Sequence, residues 1–245
     1  MSNLKVYPHV SVDCVVFGLD DDHLSVLLAE RTRFDERTKT EQTFKKLPGS
    51  LIYADEGLDD AAYRVLRGYT GITKLPLKQF KSFGDPKRAS NPNDILWLEK
   101  SVHFKIGRIV TVAYISLCKV NRQLNNNLQK YDTVQWVPVD EMPELPFDHS
   151  QIVAEARNEI SSWIENDPAI VFELLPPKFT ALQLRKLYEV VMNTQLDVRN
   201  FYKRIAATDY IVPLEEREER VNHRAARYYK FSRVRYNKNK QKNIK

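Results

Sequence analysis

Four carboxylates, Asp55, Glu56, Asp59 and Asp60, crowd onto a loop and the first turn of a helix within the stretch Leu47 to Ile72. Clustered carboxylate oxygens are what a hard divalent cation requires, and a cation so held can neutralise charge on a phosphate. The rest of that helix does not continue the theme. Leu58, Ala61, Ala62, Val65, Leu66 and Tyr69 fall at helical spacing and turn an apolar stripe inward, and Gly71 follows as a C-terminal cap. The carboxylates that remain suffice for one weakly held metal at most. A second candidate set lies far downstream, where Arg199, Asn200, Lys203 and Arg204 share the polar face of a short helix. Guanidinium can fork onto guanine and a carboxamide onto adenine, while ammonium mainly neutralises phosphate.

These two sets need separate scaffolds, and 245 residues are enough for two domains that each bury a core. Charge divides the chain in the same sense. Residues 171 to 245 carry 17 basic and 8 acidic side chains, net +9, whereas residues 1 to 170 carry 21 and 24, net −3. Such asymmetry points to a polyanion-binding module joined to something else, or to a solvated basic surface. Cys14 and Cys118 both lie in predicted strands, where they read as small buried apolar residues in a reducing compartment. Neither the cysteines nor the five scattered histidines show zinc spacing, and the seven glycines form no phosphate-cradling motif. The opening residues lack the apolar core of a signal peptide and no apolar run approaches a membrane span, so a cytoplasmic protein with no membrane partner is expected.

In chain order, His9 to Leu19 and Leu24 to Arg31 alternate as the strands of a hairpin. Residues 32 to 45 are polar without a period and read as a loop. Beyond the helix come a strand over Leu77 to Phe83 and a long connection to Gly107, with a short helix predicted over Asp94 to Lys100. A connection of that length suits the lining of a pocket or contact with a second subunit. Arg108 to Val120 is a strand buried on both faces, Asn125 to Asn127 a turn region, and Val134 to Val139 a strand. A helix then runs from about Ser150 to Glu165, with Asp148 as its N-cap. His149 beside it is either a ligand contact or a packed, hydrogen-bonded residue. Asn166-Asp167-Pro168 breaks the helix and serves as a linker.

The C-terminal third reads differently. Thr180 and Gln183 have capping-box spacing and open a helix with Leu184, Leu187, Tyr188 and Val191 inward. Asp197 caps a second helix whose inward face is Val198, Phe201 and Ile205. Two short helices with a tight turn, the second one basic, follow helix-turn-helix logic. Tyr210 to Pro213 and Ala226 to Phe231 then read as the two strands of a wing around the polar loop E-E-R-E-E-R. The tail from Arg233 carries Arg235, Lys238, Lys240, Lys242 and Lys245 without an acid and reads as disordered.

The segment Leu47 to Ile72 resembles the Nudix box, G-x5-E-x7-R-E-U-x-E-E-x-G-U with U aliphatic. Glu56, Arg64, Leu66, Gly71 and Ile72 match without a gap, and Leu47-Pro48-Gly49 before it is also family-like. Ser50 stands where the box has its glycine, and Val65, Gly68 and Tyr69 stand where it has three helix glutamates. The resemblance implies an α/β class, a Nudix-type α/β/α sandwich with a mixed sheet, without the magnesium-dependent hydrolysis those glutamates support. With the winged helix added, nearly the whole chain is similar to the Nudix-related transcriptional regulators, which include NrtR-type and arabinose-responsive AraR-type repressors. Phe147-Asp148-His149, Leu174-Leu175-Pro176 through Thr180, Arg199-Asn200-Phe201 and Tyr229-Lys230-Phe231 add to that resemblance.

The family implies a homodimer on a palindromic operator in double-stranded DNA. It also implies a small effector, a sugar, sugar phosphate or ADP-ribose-like nucleotide, held without catalytic residue, cofactor or metal. The domains expected are 1–166 (Nudix-like), 167–235 (winged helix) and a basic disordered tail over 236–245. Lys46, Asp55, Glu56, Arg88, Tyr114 and His149 are the expected ligand contacts. Lys178, Thr180, Arg199, Asn200, Lys203, Arg204, His223, Arg224 and Arg227 are the expected DNA contacts. Two rival readings are a Nudix hydrolase acting on a nucleoside diphosphate derivative and a noncatalytic metabolite sensor that binds a protein.

Overall fold

The computed structural model describes residues 6–20, 23–35, 38–102, 105–128, 130, 133–219 and 225–242. Expected contacts His223 and Arg224 lie outside them. The chain forms two compact units, Met1–Asp20 with Leu24–Asn158, and Asp21–His23 with Glu159–Lys245. The division falls inside a helix, ahead of the Asn166-Asp167-Pro168 break.

Strand β1 (Val6–Leu19) is the axis of the first unit. It pairs antiparallel with β2 (Leu24–Asp35) and β4 (Gly49–Tyr53), and parallel with β6 (Val110–Lys119). With β3 (Thr40–Lys46), β5 (Lys78–Phe83) and β7 (Val134–Pro138) these make a seven-stranded mixed sheet of order β3-β2-β1-β6-β5, β4 adding to β1 and β7 to β2. Because successive strand side chains point to opposite faces, Val12, Cys14 and Val16 turn one way and join the stripe Ala61, Ala62, Val65 and Leu66 of helix α1 (Leu58–Thr70) in one core. Each fully buried valine or leucine among them contributes about 1.5–3 kcal/mol. Ser11 and Asp13 turn the other way. Gly71, at φ 68°, ends α1 as expected, its N–H donating to Arg67 O over 2.8 Å.

The connection after β5 contains helix α2 (Pro92–Val102), longer than the sequence predicts, with Ile95 and Leu98 half-buried. Two expected loops are instead regular. Within residues 32–45, the described parts of β2 and β3 pair antiparallel, Arg31 facing Phe44 and Phe34 facing Glu41, with Lys39 at φ 56°. This edge ladder is mostly polar, with only Phe34, exposed, and Phe44, half-buried, as apolar members, so its apolar period is too sparse to read. Asn125 to Asn127 lie in helix α3 (Arg122–Leu128), whose Leu124 N–H is accepted by Asn121 Oδ1 at 2.8 Å. Helix α4 (His149–Asn166) follows.

The second unit holds α5 (Ala169–Glu173), β8 (Phe179–Thr180), α6 (Ala181–Met192), α7 (Val198–Ala207), β9 (Ile211–Arg217), β10 (Arg227–Phe231) and α8 (Arg233–Lys242). Its strands form a small sheet of order β8-β10-β9. Phe172 stacks on Phe231 at 4.3 Å between centroids, above the buried Phe179, Leu184, Phe201 and Ile205. The tail is not disordered over 236–242. Tyr236 is buried and donates to Asp167 Oδ1 at 2.6 Å, Lys240 pairs with Asp167 at 3.0 Å, and Asn239 donates to Asp209 at 2.6 Å. Those tertiary bonds hold a helix that its own charge pattern would not. Among the described residues, no helix is long and apolar enough to cross a membrane.

Candidate functional site

The box loop and α1 are locked by one ion pair. Glu56 accepts from Arg64 Nε at 2.7 Å and from the Tyr53 amide at 2.8 Å, and Arg64 also reaches Leu51 O at 3.1 Å and lies 4.0 Å over the Tyr53 ring. Burial pushes the Glu56 carboxyl up, but the bonds from Arg64 and Tyr53 outweigh it and hold the group below its ordinary range. Glu56, an expected ligand contact, is thus engaged within the fold, where it holds the helix entrance.

The donor set does not fit magnesium. Val65 is in the core, a Cβ at Gly68 would meet nothing within 4 Å, and the Tyr69 ring lies beneath Arg31 at 4.8 Å and Lys46 at 5.6 Å. Two cations therefore sit against Tyr69, one of the three positions where the box has a glutamate. Two further expected ligand residues also lie apart from any cavity described below. Asp55 is exposed on the loop, and Tyr114, buried on the α1 face, donates to Asp59 at 2.5 Å.

Lys46, Arg88 and His149 do come together, lining one small chamber with Ser11 and Asp13. Arg88 grips Asp148 through two bonds of 2.9 and 2.8 Å and lies 3.8 Å from Asp13. That grip takes the carboxylate expected to cap α4. His149 Nδ1 accepts the Leu47 N–H at 3.2 Å, which leaves the ring proton on Nε2, 3.7 Å from Asp13. Burial lowers the His149 pKa to about 4, so the imidazole is neutral near pH 7. Lys46 donates to the carbonyls of Leu47 and Gly49, and Asp13 accepts from Thr111 at 2.7 Å. A Cβ at Gly49 would lie 1.8 Å from Asp13, so the L-P-G turn needs its glycine there for close approach rather than at Ser50.

The chamber measures about 60 Å³. Arg88 and Phe147 also line an adjoining cavity of about 890 Å³, whose wall includes Lys87, Ser90 and Asn91 of the long connection and Phe83 of β5. Phe147 holds φ 58° there, a conformation rare for a non-glycine residue, while its N–H donates to Asp94 at 3.2 Å. The sequence reading misses Asp13. A carboxylate on the Ser11 face of an otherwise apolar strand is the signal that could have found it.

In the second unit, Thr180 and Gln183 form the reciprocal cap of α6, and Asp197 accepts the Asn200 N–H at 2.8 Å to start α7. Phe201 and Ile205 bury the inner face of α7, whereas Val198, expected beside them, is 49% exposed. Arg199, Asn200, Lys203 and Arg204 are exposed, and none of these side chains has a hydrogen-bond or ion-pair partner among the described residues. Thr180, an expected DNA contact, is buried and caps α6, its hydroxyl accepting from Gln183 N. Lys178 is exposed but pairs with Glu216 of β9, and Arg227 is half-buried on β10. The wing strands run further than expected, β9 taking in Glu215, Glu216 and Arg217. On α8, Arg233 pairs with Glu173 and Lys240 with Asp167, which withdraws tail charge that the sequence leaves to solvent.

The molecule is therefore an α/β sandwich of Nudix type, its metal-binding side chains replaced, with a winged helix after it. A sequence model of the Nudix domain matches residues 7–156, more than half of the chain, and the chain belongs to that family. Residues 171–231 match the NrtR DNA-binding winged helix domain. The ADPR responsive transcriptional repressor NtrR of Acinetobacter baylyi is 25% identical over 229 residues, which span 92% of this chain and 82% of that protein. Shewanella oneidensis NrtR, solved with a 27mer DNA, has the same fold at 23% identity and TM-score 0.62, over 91% of this chain and 93% of that one. A MutT/nudix family protein from Enterococcus faecalis also shares it, at 21% identity and TM-score 0.56, over 92% and 88%.

Proposed function

We propose that the protein is a ligand-responsive transcriptional repressor of the cytoplasm. As a homodimer it holds operator DNA with its winged helices, and it senses a sugar, sugar phosphate or ADP-ribose-like nucleotide in a Nudix pocket that does not hydrolyse it. The observation that carries this reading is α7, a capped and half-buried helix whose outward polar groups have no work within the described fold. In a helix-turn-helix such a helix enters the major groove with its first turn at the bases. Arg199 and Asn200 then read base edges, while Lys203, Arg204 and Arg227 neutralise phosphate.

The adjoining cavities are the effector site. About 890 Å³ lies within the usual range for small-molecule pockets, and its wall offers aromatic surface at Phe83 and Phe147 beside amide, hydroxyl and ammonium groups at Asn91, Ser90 and Lys87. The relative's response to ADPR supports an ADP-ribose-like effector. Hydrolysis is excluded from this reading because Val65, Gly68 and Tyr69 supply no oxygen a magnesium ion could use, and Glu56 is held by Arg64.

Sequencing of genomic fragments retained by the protein, with and without ADP-ribose, tests the proposal. One near-palindromic sequence with half-sites about one or two DNA turns apart is expected, with its retention altered by ADP-ribose. Retention of no preferred fragment would overturn the regulator reading. Turnover of ADP-ribose with Mg²⁺ or Mn²⁺ at about 1 per second or faster, the usual range of enzymes, would overturn the noncatalytic pocket.

A further inference from the structure

A third cavity lies wholly within the C-terminal unit, beside the proposed recognition helix. It measures about 320 Å³ and is lined by the end of α4, α5, α6, α7 and the start of β9. Its walls are apolar at Phe172, Leu184, Phe201 and Ile205, all of them buried core residues. The cavity opens to solvent beside the exposed Glu165, Thr194 and Arg204, so a small molecule can reach its apolar floor.

Three residues with polar side chains also line this cavity, Tyr188 on α6, Tyr210 before β9, and Arg204 on α7 at its exposed rim. None of the three has a hydrogen-bond or ion-pair partner among the described residues. Their charges nonetheless act on one another, since Tyr188 feels both Tyr210 and Arg204, and Tyr210 feels Arg204, which places the polar ends in one neighbourhood. Burial holds the Tyr188 phenol up at about 12, so at neutral pH it keeps its proton and is a hydrogen-bond donor.

We infer that this cavity is a second ligand site, for a small amphipathic acid with an aromatic or branched aliphatic body and a single carboxylate. The apolar walls take the body. Arg204 and the two phenols donate to the carboxylate, a charge-assisted arrangement stronger than one between neutral groups. Exposed Glu165 stands on the lining as well, and its negative charge selects against a phosphate or any other multiply charged anion. A bound carboxylate would compete for Arg204 with DNA phosphate and so weaken operator binding. That consequence rests on the DNA-binding reading, whereas titration without DNA tests the site alone.

The test is isothermal titration of the full chain, free of DNA, with phenylacetate, 4-hydroxybenzoate and isovalerate. Saturable binding of at least one is expected, with the corresponding amide, which keeps the body and loses the charge, weaker by about tenfold or more. Acetate, which keeps the charge and loses the body, should also be weaker by about tenfold or more. Arg204→Gln should weaken the acid by about tenfold, and Tyr188→Phe by a smaller factor, with the denaturation midpoint of each variant checked alongside. No saturable binding of any of the three at about 10 mM, a free energy near −2.7 kcal/mol, would overturn the site. Equal affinity for acid and amide would overturn it too, and that comparison uses the unmodified protein, so it stands even if a variant misfolds.

Discussion

The two units treat their charged side chains in opposite ways. In the Nudix unit, Asp13, Lys46, Arg88 and His149 are almost wholly buried, and each is partnered within that unit. On α7 of the winged helix, Arg199, Asn200, Lys203 and Arg204 are exposed, with their side chains unmatched among the described residues. A buried charge must be partnered because desolvation is costly, so the first arrangement shapes the fold and lines a cavity. An exposed, unmatched cation costs the fold almost nothing and stays available to a polyanion. Substitutions in the two regions should therefore separate stability from binding.

The largest effect on stability is expected at Arg88. Arg88→Ala leaves Asp13 and Asp148 without the cation between them and should cost about 3–5 kcal/mol in chemical denaturation. Arg88→Lys keeps the charge, loses the two-pronged grip on Asp148, and should recover only part of that. A wild-type denaturation midpoint for Arg88→Ala would show that this buried cluster does not hold the fold.

His149 sharpens the same point through pH. Its folded pKa of about 4 lies below the ordinary value of 6.5, so the unfolded chain takes up the proton first as pH falls. The stabilisation from keeping this ring neutral is therefore complete above about pH 6.5 and is lost progressively towards pH 4, a change on the order of 3 kcal/mol. His149→Asn retains an acceptor for the Leu47 N–H and cannot be protonated in this range. The difference in unfolding free energy between wild type and this variant should slope between pH 6.5 and 4 and be flat above it; a flat difference throughout would contradict the neutral buried imidazole.

A smaller effect is expected at the tail helix. Tyr236→Phe removes one donor from Asp167, which keeps Lys240 and the Ala169 N–H, and should cost about 1 kcal/mol. Amide exchange across α8 should quicken while exchange in α7 stays as it was.

How legible each region is follows from the kind of force that builds it. Helix α1, strands β1 and β6, and the caps of α6 and α7 can be read from the chain because burial period and local hydrogen bonding are written in adjacent residues. The strand pairing over 32–45 and helix α8 cannot, since the first is a mostly polar edge ladder and the second depends on Asp167 and Asp209, which are remote in sequence. The site shows the same division. Arg199, Asn200, Lys203 and Arg204 are found on the expected outer face because helical periodicity alone puts them there. The Nudix side is harder: Glu56 turns to Arg64 and Tyr114 to Asp59, while Asp13 joins Arg88 and His149 through contacts that no local pattern specifies.

The central claim is that the unmatched groups of α7 exist to meet DNA, and it is tested most directly by affinity across a salt series. Wild type, Arg199→Ala and Lys203→Ala would each be titrated with the selected operator and with a scrambled duplex. All three proteins should unfold within about 0.5 kcal/mol of one another, as surface substitutions usually do. Lys203→Ala should weaken both duplexes alike and lower the slope of log affinity against log salt by roughly one unit for each phosphate it no longer neutralises. Arg199→Ala should cost about 1–3 kcal/mol on the operator, with relaxed preference at one base position. If both variants bind both duplexes as wild type does, with unchanged salt slopes, α7 is not the recognition helix and the account is wrong at its centre.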